Sequence, residues 1–323
     1  MDELLELKNI KMYFQVRKRL FFPLTVKALD GVSLKLNRGE SLAVVGESGS
    51  GKTTLGRVSL RLLKPSAGQV IFAGEDITHA GENELKEFRK RAQGIFQDPF
   101  SSLDSFMNVY QILEEPLIIH GVGNGKEREE MVYQALEEVR LLPAKEFAAQ
   151  YPHRLSGGQR QRVGIARALI LRPEFIVADE PVSMIDASSR AEILYLLKEL
   201  QEKHQMGILY ITHDIATAQY FSRRIAVMYL GKIVELAPAR EIINHPRHPY
   251  TRSLIEAVPI PDPANRLKER KVIPGEPPSP IRVPPGCRFH PRCPSFMKNK
   301  CEVLEPPLIE VEENHYTSCW LYQ

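Results

Sequence analysis

The stretch SLAVVGESGSGKTTL, residues 41–55, joins an apolar strand to a glycine-rich loop and an apparent helix. It fits the pattern G-x-x-x-x-G-K-[ST] at every fixed position. Its glycines permit a tight loop whose backbone N–H groups turn inward, and such a loop at a helix N-terminus attracts anions. A glycine turn of purely structural use is the alternative, but the flanking strand and helix favour a phosphate site. The candidate phosphate-binding residues are Gly46, Glu47, Ser48, Gly49, Ser50, Gly51, Lys52, Thr53 and Thr54.

Two side chains of this loop carry the predicted chemistry. Lys52 can reach terminal phosphates as a point charge, and Thr53 can offer a hydroxyl ligand to Mg²⁺. The loop therefore predicts a site for a nucleoside triphosphate with its magnesium ion.

Apolar strands alternate with helical stretches along the chain, and this alternation predicts the fold class. In KEREEMVYQALEEVRLL, residues 126–142, apolar residues recur at the spacing of a packed amphipathic helix. Strand, helix and strand in alternation predict an α/β fold with a largely parallel, covered sheet. Strands are predicted at 4–10, 26–36, 41–45, 69–73, 175–178, 207–211 and 225–228, and further helices after Lys52 and at 187–203.

Composition limits the function classes. With 323 residues, 43% hydrophobic and 26% charged, the chain is long enough for a large core and a smaller appendage. The formal charge of +3 gives no reason to expect nucleic acid as a partner. The first residues, MDELLELKNI, lack the features of a targeting signal, and no apolar run approaches the length that crosses a bilayer. We therefore expect a cytoplasmic protein whose membrane role, if it has one, depends on partners.

A second motif, EFIVADEP at residues 174–181, reads as a buried strand that ends in two carboxylates. Asp179 is placed to serve Mg²⁺, usually through water, and Glu180 to polarise an attacking water as a general base. Alone, such a pair is more often a solvated strand end. Together with the phosphate loop, it favours a site for hydrolysis.

A third motif is LSGGQ at residues 155–159, which leads into a helix. Ser156 is suited to cap that helix, and Gly157 and Gly158 leave backbone N–H groups open to an anion. Capping alone does not account for the whole pentapeptide, including Gln159, which resembles the signature sequence of ABC-type ATPases. The resemblance implies a P-loop NTPase fold of the ABC type, with a mixed sheet core, an antiparallel β subdomain and a helical subdomain, and it implies ATP as the nucleotide.

Further family motifs are present in order. Gln97 in GIFQDP matches the glutamine that contacts Mg²⁺ or the attacking water, and His213 in ILYITHD matches the histidine that contacts the γ-phosphate. Phe14 matches the aromatic residue that stacks on adenine, with Tyr13 as the competing choice. As lone residues, these would more often be polar strand ends or core aromatics.

The segment PVSMID, residues 181–186, departs from the usual Pro-x-Ser-Ala-Leu-Asp. Asp186 is retained as a nucleotide-site residue, while Met184 and Ile185 replace the small and leucine positions. Both replacements are apolar, so we expect the contact between subunits to change in detail without being lost. The segment SSLDSFMNV, residues 101–109, also lacks the Asn-Pro frequent in relatives.

The resemblance implies a mechanism that needs two ATPase subunits. In ABC ATPases, ATP lies between the phosphate loop of one subunit and the signature helix of the other. ATP closes the dimer, and hydrolysis with Glu180 as base reopens it.

The region after residue 236 resembles the C-terminal region of oligopeptide and dipeptide importer ATPases, in NHPRHPYTRSLIEAVPIPDP, GEPPSP and GCRFHPRCP. The basic, aromatic segment QVRKRLFFPLTVKALDGVSL resembles the first hairpin of the second ATPase in such importers, although an incidental loop is the alternative. The implied partners are a sister ATPase in a heterodimer, two transmembrane permease subunits and, indirectly, an external peptide-binding protein. The implied location is the cytoplasmic face of the membrane. Nickel or glutathione importers and soluble ABC ATPases of DNA repair or translation are alternatives, and a small-molecule phosphotransferase would leave LSGGQ and His213 unexplained.

All four cysteines, Cys287, Cys293, Cys301 and Cys319, lie in one C-terminal segment. In a reducing compartment, clustered cysteines favour metal or redox chemistry over disulfides. Spacing alone leaves a [4Fe–4S] cluster and a zinc ion open, and the importer family implies the cluster. The predicted domains are a nucleotide-binding domain at 1–257 with a helical subdomain at about 98–165, a proline-rich connector at 258–286 and a small metal-binding extension at 287–323.

Overall fold

The computed structural model describes residues 2–18, 22–98, 103–258 and 275–323. Its strands are β1 (Glu3–Lys18), β2 (Phe22–Asn37), β3 (Ser41–Val45), β4 (Ala67–Phe72), β5 (Glu75–Asp76), β6 (Ala92–Ile95), β7 (Phe175–Asp179), β8 (Gly207–Thr212), β9 (Arg224–Tyr229), β10 (Lys232–Pro238), β11 (Ile309–Glu312) and β12 (His315–Thr317). Its helices are α1 (Lys52–Ser59), α2 (Glu82–Arg91), α3 (Val109–Ile119), α4 (Gly125–Glu138), α5 (Ala144–Ala148), α6 (Gly157–Leu169), α7 (Ala187–His204), α8 (Ile215–Phe221), α9 (Ala239–Asn244) and α10 (Pro249–Glu256).

Each strand predicted from the sequence is present. The predicted strands at 4–10 and 26–36 are inner parts of the longer β1 and β2. The helix predicted at 126–142 ends earlier, at Glu138, because Arg140 adopts a left-handed conformation with φ +60° and Pro143 cannot continue a helix. Strands β5, β6, β10, β11 and β12 were not predicted.

The chain forms two compact units. The first contains most of the helices and carries β6 and β7 as parallel neighbours, with Ile95 opposite Ala178 at their carboxyl ends. Helices α3, α4 and α6 pack on one another, and Leu113, Leu136 and Val163 are fully buried on them. Burial of each such side chain contributes about 1.5–3 kcal/mol. This unit comprises the described residues of Met1–Leu4, Leu36–Glu40 and His79–Tyr210.

The second unit is built mainly from strands. In one sheet, β4 pairs antiparallel with β1 and with β5, which confirms the expected antiparallel subdomain. In the other, β3 lies parallel beside β9, whereas β9, β10, β12 and β11 follow one another antiparallel. The sheet is therefore mixed, as the ABC resemblance implied, and not largely parallel, as the alternation pattern alone suggested. This unit comprises the described residues of Leu5–Lys35, Ser41–Thr78 and Ile211–Gln323.

Residues 287–323, here called the tail, are part of the second unit. In the tail, β12 adds to the sheet beside β10, with Thr317 opposite Glu235. Phe289 is 1% exposed and packs edge-on against the ring of Tyr229 at 5.3 Å. The tail thus shares a core with the strands that follow residue 211, while the domain boundary at 287 stays a prediction.

Parts of three predicted features lie outside the described residues. These are residues 19–21 of the basic hairpin, 99–102 near the start of the helical subdomain and 259–274 of the proline-rich connector. Among the helices that the structure describes, none combines the length and apolar character that a membrane span requires.

Candidate nucleotide-binding site

The phosphate loop, residues 46–53, connects the buried strand β3 to the start of α1. Gly46 has φ +155°, and a Cβ atom there would lie 2.2 Å from the carbonyl oxygen of Met228. Gly51 has φ +105°, and its Cβ would lie 2.4 Å from the carbonyl oxygen of Ala28. At both positions the backbone approaches its neighbours too closely for a side chain. The glycine pattern therefore reflects packing as well as phosphate chemistry.

The side chain of Lys52 folds back onto the first residues of the phosphate loop. Its side chain is buried, and Nζ donates to the carbonyl oxygens of Gly46 at 2.7 Å and of Glu47 at 2.9 Å. Thr53, the next residue, is exposed. Because α1 begins at Lys52 without a side-chain cap on its N-terminus, the positive end of the helix dipole coincides with the lysine charge. This combination is suited to bind phosphates.

Glu47 is held by residues that the sequence did not predict as part of the site. Arg292 of the tail donates to its carboxylate, with Nη1 2.8 Å from Oε2 and Nη2 3.1 Å from Oε1. The backbone N–H of Glu47 donates to the hydroxyl oxygen of Tyr250 at 2.8 Å. Tyr250 belongs to the HPYT motif and Arg292 to the HPRCP motif, which the sequence analysis used only to identify a family. The position of Arg292 directly before Cys293 was the available signal.

The predicted adenine contact involves the adjacent aromatics Tyr13 and Phe14 of β1. The Tyr13 hydroxyl donates to Asp30, whose carboxylate also accepts from Arg288 of the tail. Burial and the Asp30 carboxylate raise the pKa of Tyr13 to about 12. Since successive strand residues point to opposite faces, Tyr13 is committed to this network and Phe14 faces the other way. The geometry supports Phe14 over Tyr13 as the stacking residue, which stays a prediction.

In the first unit, the structure brings Gln97 and Glu180 together. Gln97 follows β6 and Glu180 follows β7, so parallel strands deliver both to the same edge. The Gln97 Nε2 donates to Glu180 Oε2 at 3.0 Å. Asp179 is 6% exposed at the end of β7, and Glu180 has a left-handed backbone with φ +48°. Asp179 is therefore buried where the strand ends, whereas Glu180, in the turn that follows, is half-buried.

The signature loop, residues 155–159, caps itself at the start of α6. Ser156 Oγ accepts from the backbone N–H of Gln159 at 3.2 Å, and Gln159 Oε1 accepts from the backbone N–H of Ser156 at 2.9 Å. The predicted cap is therefore confirmed as a reciprocal capping box. A Cβ atom at Gly157 would meet no atom within 4 Å, and one at Gly158 would lie at ordinary contact distances, 3.5 Å from Ser189 and 4.0 Å from Ile193. The loop is open to an approaching ligand or partner.

The PVSMID segment ends at the start of α7. Asp186 caps this helix, its Oδ1 accepting from the backbone N–H of Ser189 at 3.0 Å. Hydrogen bonds from the Ser188 hydroxyl and from Ser189 lower the pKa of Asp186 to about 2. Ile185 is 4% exposed and Met184 is 53% exposed. Of the two departures from the family pattern, only Met184 changes the surface.

His213 follows β8 directly and is exposed, in the second unit with the phosphate loop. The next residue, Asp214, caps α8 by accepting from Ala216 N–H at 2.9 Å. The histidine is thus placed between a buried strand and a capped helix, which fixes its backbone.

A buried polar cluster supports Tyr250. Glu235 is fully buried and accepts from the backbone N–H groups of Arg247 at 2.7 Å and His248 at 3.0 Å, and its Oε1 lies 2.7 Å from His315 Nε2. His248 Nδ1 accepts from the Tyr250 N–H at 3.1 Å and so caps α10. Burial lowers the pKa of His248 to about 4. The cluster joins the tail strand β12 to the helix that carries Tyr250.

The four cysteines are free thiols, with Cys301 and Cys319 buried and Cys287 and Cys293 half-buried. Burial raises the pKa of Cys287 to about 12 and of Cys293 to about 11, and the other cysteines act in the same direction. The Cys287 N–H donates to the Cys301 carbonyl at 2.8 Å. Within the described ranges, no group of three or more His, Cys, Asp or Glu side chains is arranged to hold a metal ion. The metal centre stays a prediction.

Two family profiles match the chain. Residues 29–183 match the ABC transporter family, and residues 234–301 match the oligopeptide/dipeptide transporter C-terminal region. The second match includes Tyr250, Arg292 and three of the cysteines.

The curated relatives are similar over almost the whole chain. The oligopeptide transport ATP-binding protein AppF of Bacillus subtilis is 46% identical, over 99% of this chain and 98% of that protein. A putative peptide import ATP-binding protein of Brucella ovis is 46% identical, over 98% and 97% respectively.

Among solved structures, the dimeric ATP-binding cassette MJ0796 in a post-hydrolysis state with ADP and Pi is 31% identical, with a TM-score of 0.65 over 73% of this chain and 99% of that one. The cbiO1 subunit of the cbiONQ transporter from Clostridium perfringens is 27% identical, with a TM-score of 0.66 over 76% and 92%.

Proposed function

Because the chain belongs to the ABC transporter ATPases that carry the oligopeptide/dipeptide C-terminal region, we propose that it hydrolyses ATP to drive the import of peptides. The observation that carries this proposal is the 46% identity to an oligopeptide transport ATP-binding protein over 99% of the chain. The similarity extends through the tail, beyond the part that matches ABC ATPases in general.

The phosphate loop is the proposed site of the ATP phosphates. Lys52 and the start of α1 supply positive charge, and Phe14 is the proposed partner of the adenine ring. Magnesium, when bound with ATP, would neutralise phosphate charge. The oxygen donors of Thr53, Gln97 and Asp179 are of the kind that this ion prefers, so the side chains fit it chemically.

Glu180 is the proposed general base for water. Gln97 holds one carboxylate oxygen of Glu180 and so restricts its orientation before a substrate arrives. His213 is the proposed contact of the γ-phosphate. Positioned groups of this kind act mainly by orientation and charge stabilisation, as in other phosphoryl-transfer enzymes.

The signature loop is proposed to act on a second ATPase subunit. Its exposed Ser156 and the open backbone at Gly157 suit an anion presented from outside the chain. ATP held by one subunit and contacted by the signature loop of the other would close the dimer, and hydrolysis would release it. The dimeric cassette with ADP and Pi is a solved precedent at 31% identity.

The remaining partners belong to the same proposal. We expect two membrane permease subunits, a non-identical sister ATPase and an external peptide-binding protein, with this chain at the cytoplasmic face of the membrane. A nickel or glutathione importer is the alternative, since the cargo is selected by other subunits. A soluble ABC ATPase is less well supported. The relatives that match this chain over almost its whole length carry names that refer to peptide transport or import.

The four cysteines are proposed to hold a [4Fe–4S] cluster, with zinc as the competing metal. Four thiol sulfurs are a suitable donor set for either. The resemblance of the tail to that of the peptide-importer ATPases is what favours the cluster over zinc. When bound, the cluster would supply a cross-link within the tail, and no step of ATP hydrolysis requires it.

Transport in a reconstituted system tests the proposed cargo. The chain, its sister ATPase and the permease subunits are placed in vesicles with the external binding protein, and uptake of labelled peptide, nickel and glutathione is compared. ATP-dependent peptide uptake is expected. Uptake of nickel or glutathione alone would replace the proposed cargo, and purification without any permease would favour a soluble ATPase.

For the metal, anaerobic purification should give iron with sulfide, and zinc without sulfide would exclude the cluster.

A further inference from the structure

Arg292 belongs to the tail, yet its guanidinium group ends on the phosphate loop. Its two terminal nitrogens each contact a different oxygen of Glu47, at 2.8 and 3.1 Å. The side chains are 6% and 24% exposed. A two-pronged arginine–carboxylate contact fixes the plane of the carboxylate as well as its position. Partial burial limits the screening of this pair by water.

The Arg292 contact is one of several that hold Glu47, whose carbonyl oxygen also accepts from the Ser50 N–H at 3.2 Å. The N–H of Glu47 donates to the Tyr250 hydroxyl, and its carbonyl oxygen accepts from Lys52. Tyr250 and Arg292 are themselves linked through Tyr229, whose ring lies 4.7 Å from that of Tyr250 and whose hydroxyl lies 3.4 Å from Arg292. Both the backbone and the side chain of Glu47 are therefore held by residues of the C-terminal region.

The segment that carries Arg292 is itself anchored. Four positions earlier, Arg288 donates to Asp30 and to the Leu230 carbonyl, with its side chain 7% exposed. Between the two arginines, Phe289 is buried against Tyr229. An arginine on such a segment has little freedom to reorient. The two-pronged contact of Arg292 with Glu47 is therefore formed before a nucleotide binds.

We propose that Arg292 is a positioning residue of the nucleotide site, which holds Glu47 and thereby keeps the phosphate loop in the conformation that receives ATP. It also neutralises a carboxylate that would otherwise repel the triphosphate from within the loop. Arg292 touches no substrate and acts through Glu47. This inference rests on the proposed role of the phosphate loop in binding ATP.

The test compares ATP and adenosine affinities of the full-length chain by equilibrium titration. Arg292→Gln should weaken ATP binding about tenfold, the effect of one charge-assisted hydrogen bond, and leave adenosine binding unchanged because adenosine has no phosphates. Arg292→Lys keeps the positive charge but not the two-pronged contact, so it should lose less ATP affinity than Arg292→Gln. The matched control is Arg247→Gln, which removes the side-chain contact of another arginine with a tail carboxylate, Glu312, and keeps the backbone N–H that donates to Glu235. It should bind ATP as the unchanged protein does.

A double-mutant cycle tests whether Arg292 acts through Glu47. In a Glu47→Gln background, Arg292→Gln should change ATP affinity less than twofold, because contacting residues are not additive. An equal effect in both backgrounds, an equal loss of ATP and adenosine binding, or unchanged ATP affinity would each overturn the proposal. If Arg292→Gln does not fold, Arg292→Lys decides, and unchanged ATP affinity in that variant overturns it.

The underlying role of the loop is checked separately. Lys52→Ala should abolish ATP binding in the otherwise unchanged chain. If Lys52→Ala binds ATP normally, the assignment of the phosphate loop fails. If it loses ATP while Arg292→Gln does not, only the role of Arg292 fails.

Discussion

The phosphate loop and the signature loop are both glycine-rich turns that lead into a helix, but they are held in opposite ways. The phosphate loop is fixed by distant residues, with Tyr250 and Arg292 on Glu47 and a backbone oxygen against Gly46. The signature loop is fixed by itself, through the reciprocal bonds of Ser156 and Gln159.

This difference corresponds to the proposed roles of the two loops. A site that must receive a nucleotide within its own chain benefits from preorganisation by surrounding residues. A surface that must meet a partner subunit needs a stable backbone but no cover.

The largest effect is expected at Glu180. Hydrolysis by this base would both consume the ATP that the phosphate loop binds and reopen the dimer that the signature loop helps to close. Glu180→Gln should reduce ATP hydrolysis by at least about 100-fold, since general base catalysis contributes that much. ATP binding should remain, and a closed dimer should accumulate in the presence of ATP. Phosphate release and size-exclusion chromatography measure the two effects. Glu199→Gln, at a solvent-exposed ion pair with Arg140 in the same unit, is the control. Undiminished turnover in Glu180→Gln would refute the base.

A methyl group should affect the two loops differently. Gly46→Ala places Cβ 2.2 Å from the Met228 oxygen and should lower the free energy of unfolding by roughly 1–3 kcal/mol, as overpacking does. Gly157→Ala meets no atom within 4 Å and should leave it within about 0.5 kcal/mol. Denaturant unfolding of the two full-length variants measures both. Equal losses would contradict the contrast between the loops.

Acid should weaken the support of the phosphate loop through His248. The folded pKa of His248 is about 4, lowered by burial, with Arg252 acting in the same direction and Glu235 opposing it. The unfolded value is about 6.5, so between pH 6.5 and 4 the unfolded chain binds a proton that the folded chain excludes. Stability should therefore fall as pH falls through this window, by up to about 1.4 kcal/mol per pH unit.

Thermal unfolding between pH 7 and 5 measures this acid effect. His248→Asn retains a capping oxygen for α10 but does not titrate, so its stability should depend less on pH. His153→Asn, at an exposed position in the first unit, is the control and should follow the unchanged protein. An identical pH dependence in His248→Asn would assign the effect to other groups.

The smallest effect is expected at the cap of the signature helix. Ser156→Ala removes the acceptor for Gln159 N–H and should cost about 1 kcal/mol of stability, whereas Ser156→Asn should cost little because asparagine caps well. Denaturant unfolding measures both. A loss of several kcal/mol in Ser156→Ala would show that the loop is held by more than its own capping box.

The sequence located both loops but predicted the support of only one. Ser156 could be identified as a cap because its partner lies three residues away, within one helical turn. Glu47 and Arg292 are 245 positions apart in the sequence, so no local sequence pattern predicts their contact. The phosphate loop was therefore predictable as a motif, while its attachment to the tail was not.

The strands differ in the same way, some being specified locally and others by distant neighbours. Strand β3 was predicted at its observed bounds because four consecutive apolar residues, 42–45, precede the loop. Strand β12, His315–Thr317, has three residues without an apolar run and gains its place by pairing with β10. Short strands of this kind are specified by their neighbours and not by their own composition. The proposed metal chemistry of the cysteines likewise cannot be derived from their spacing alone.

The separation of Glu47 from Arg292 also has a consequence for biosynthesis. A ribosome adds about 5–20 residues per second, so the 245 positions between them correspond to roughly 12–50 seconds of synthesis. During this interval the nascent chain carries a complete phosphate loop without the arginine that holds it. If Arg292 positions the loop as proposed, full affinity for ATP is acquired only after the tail has been translated and packed.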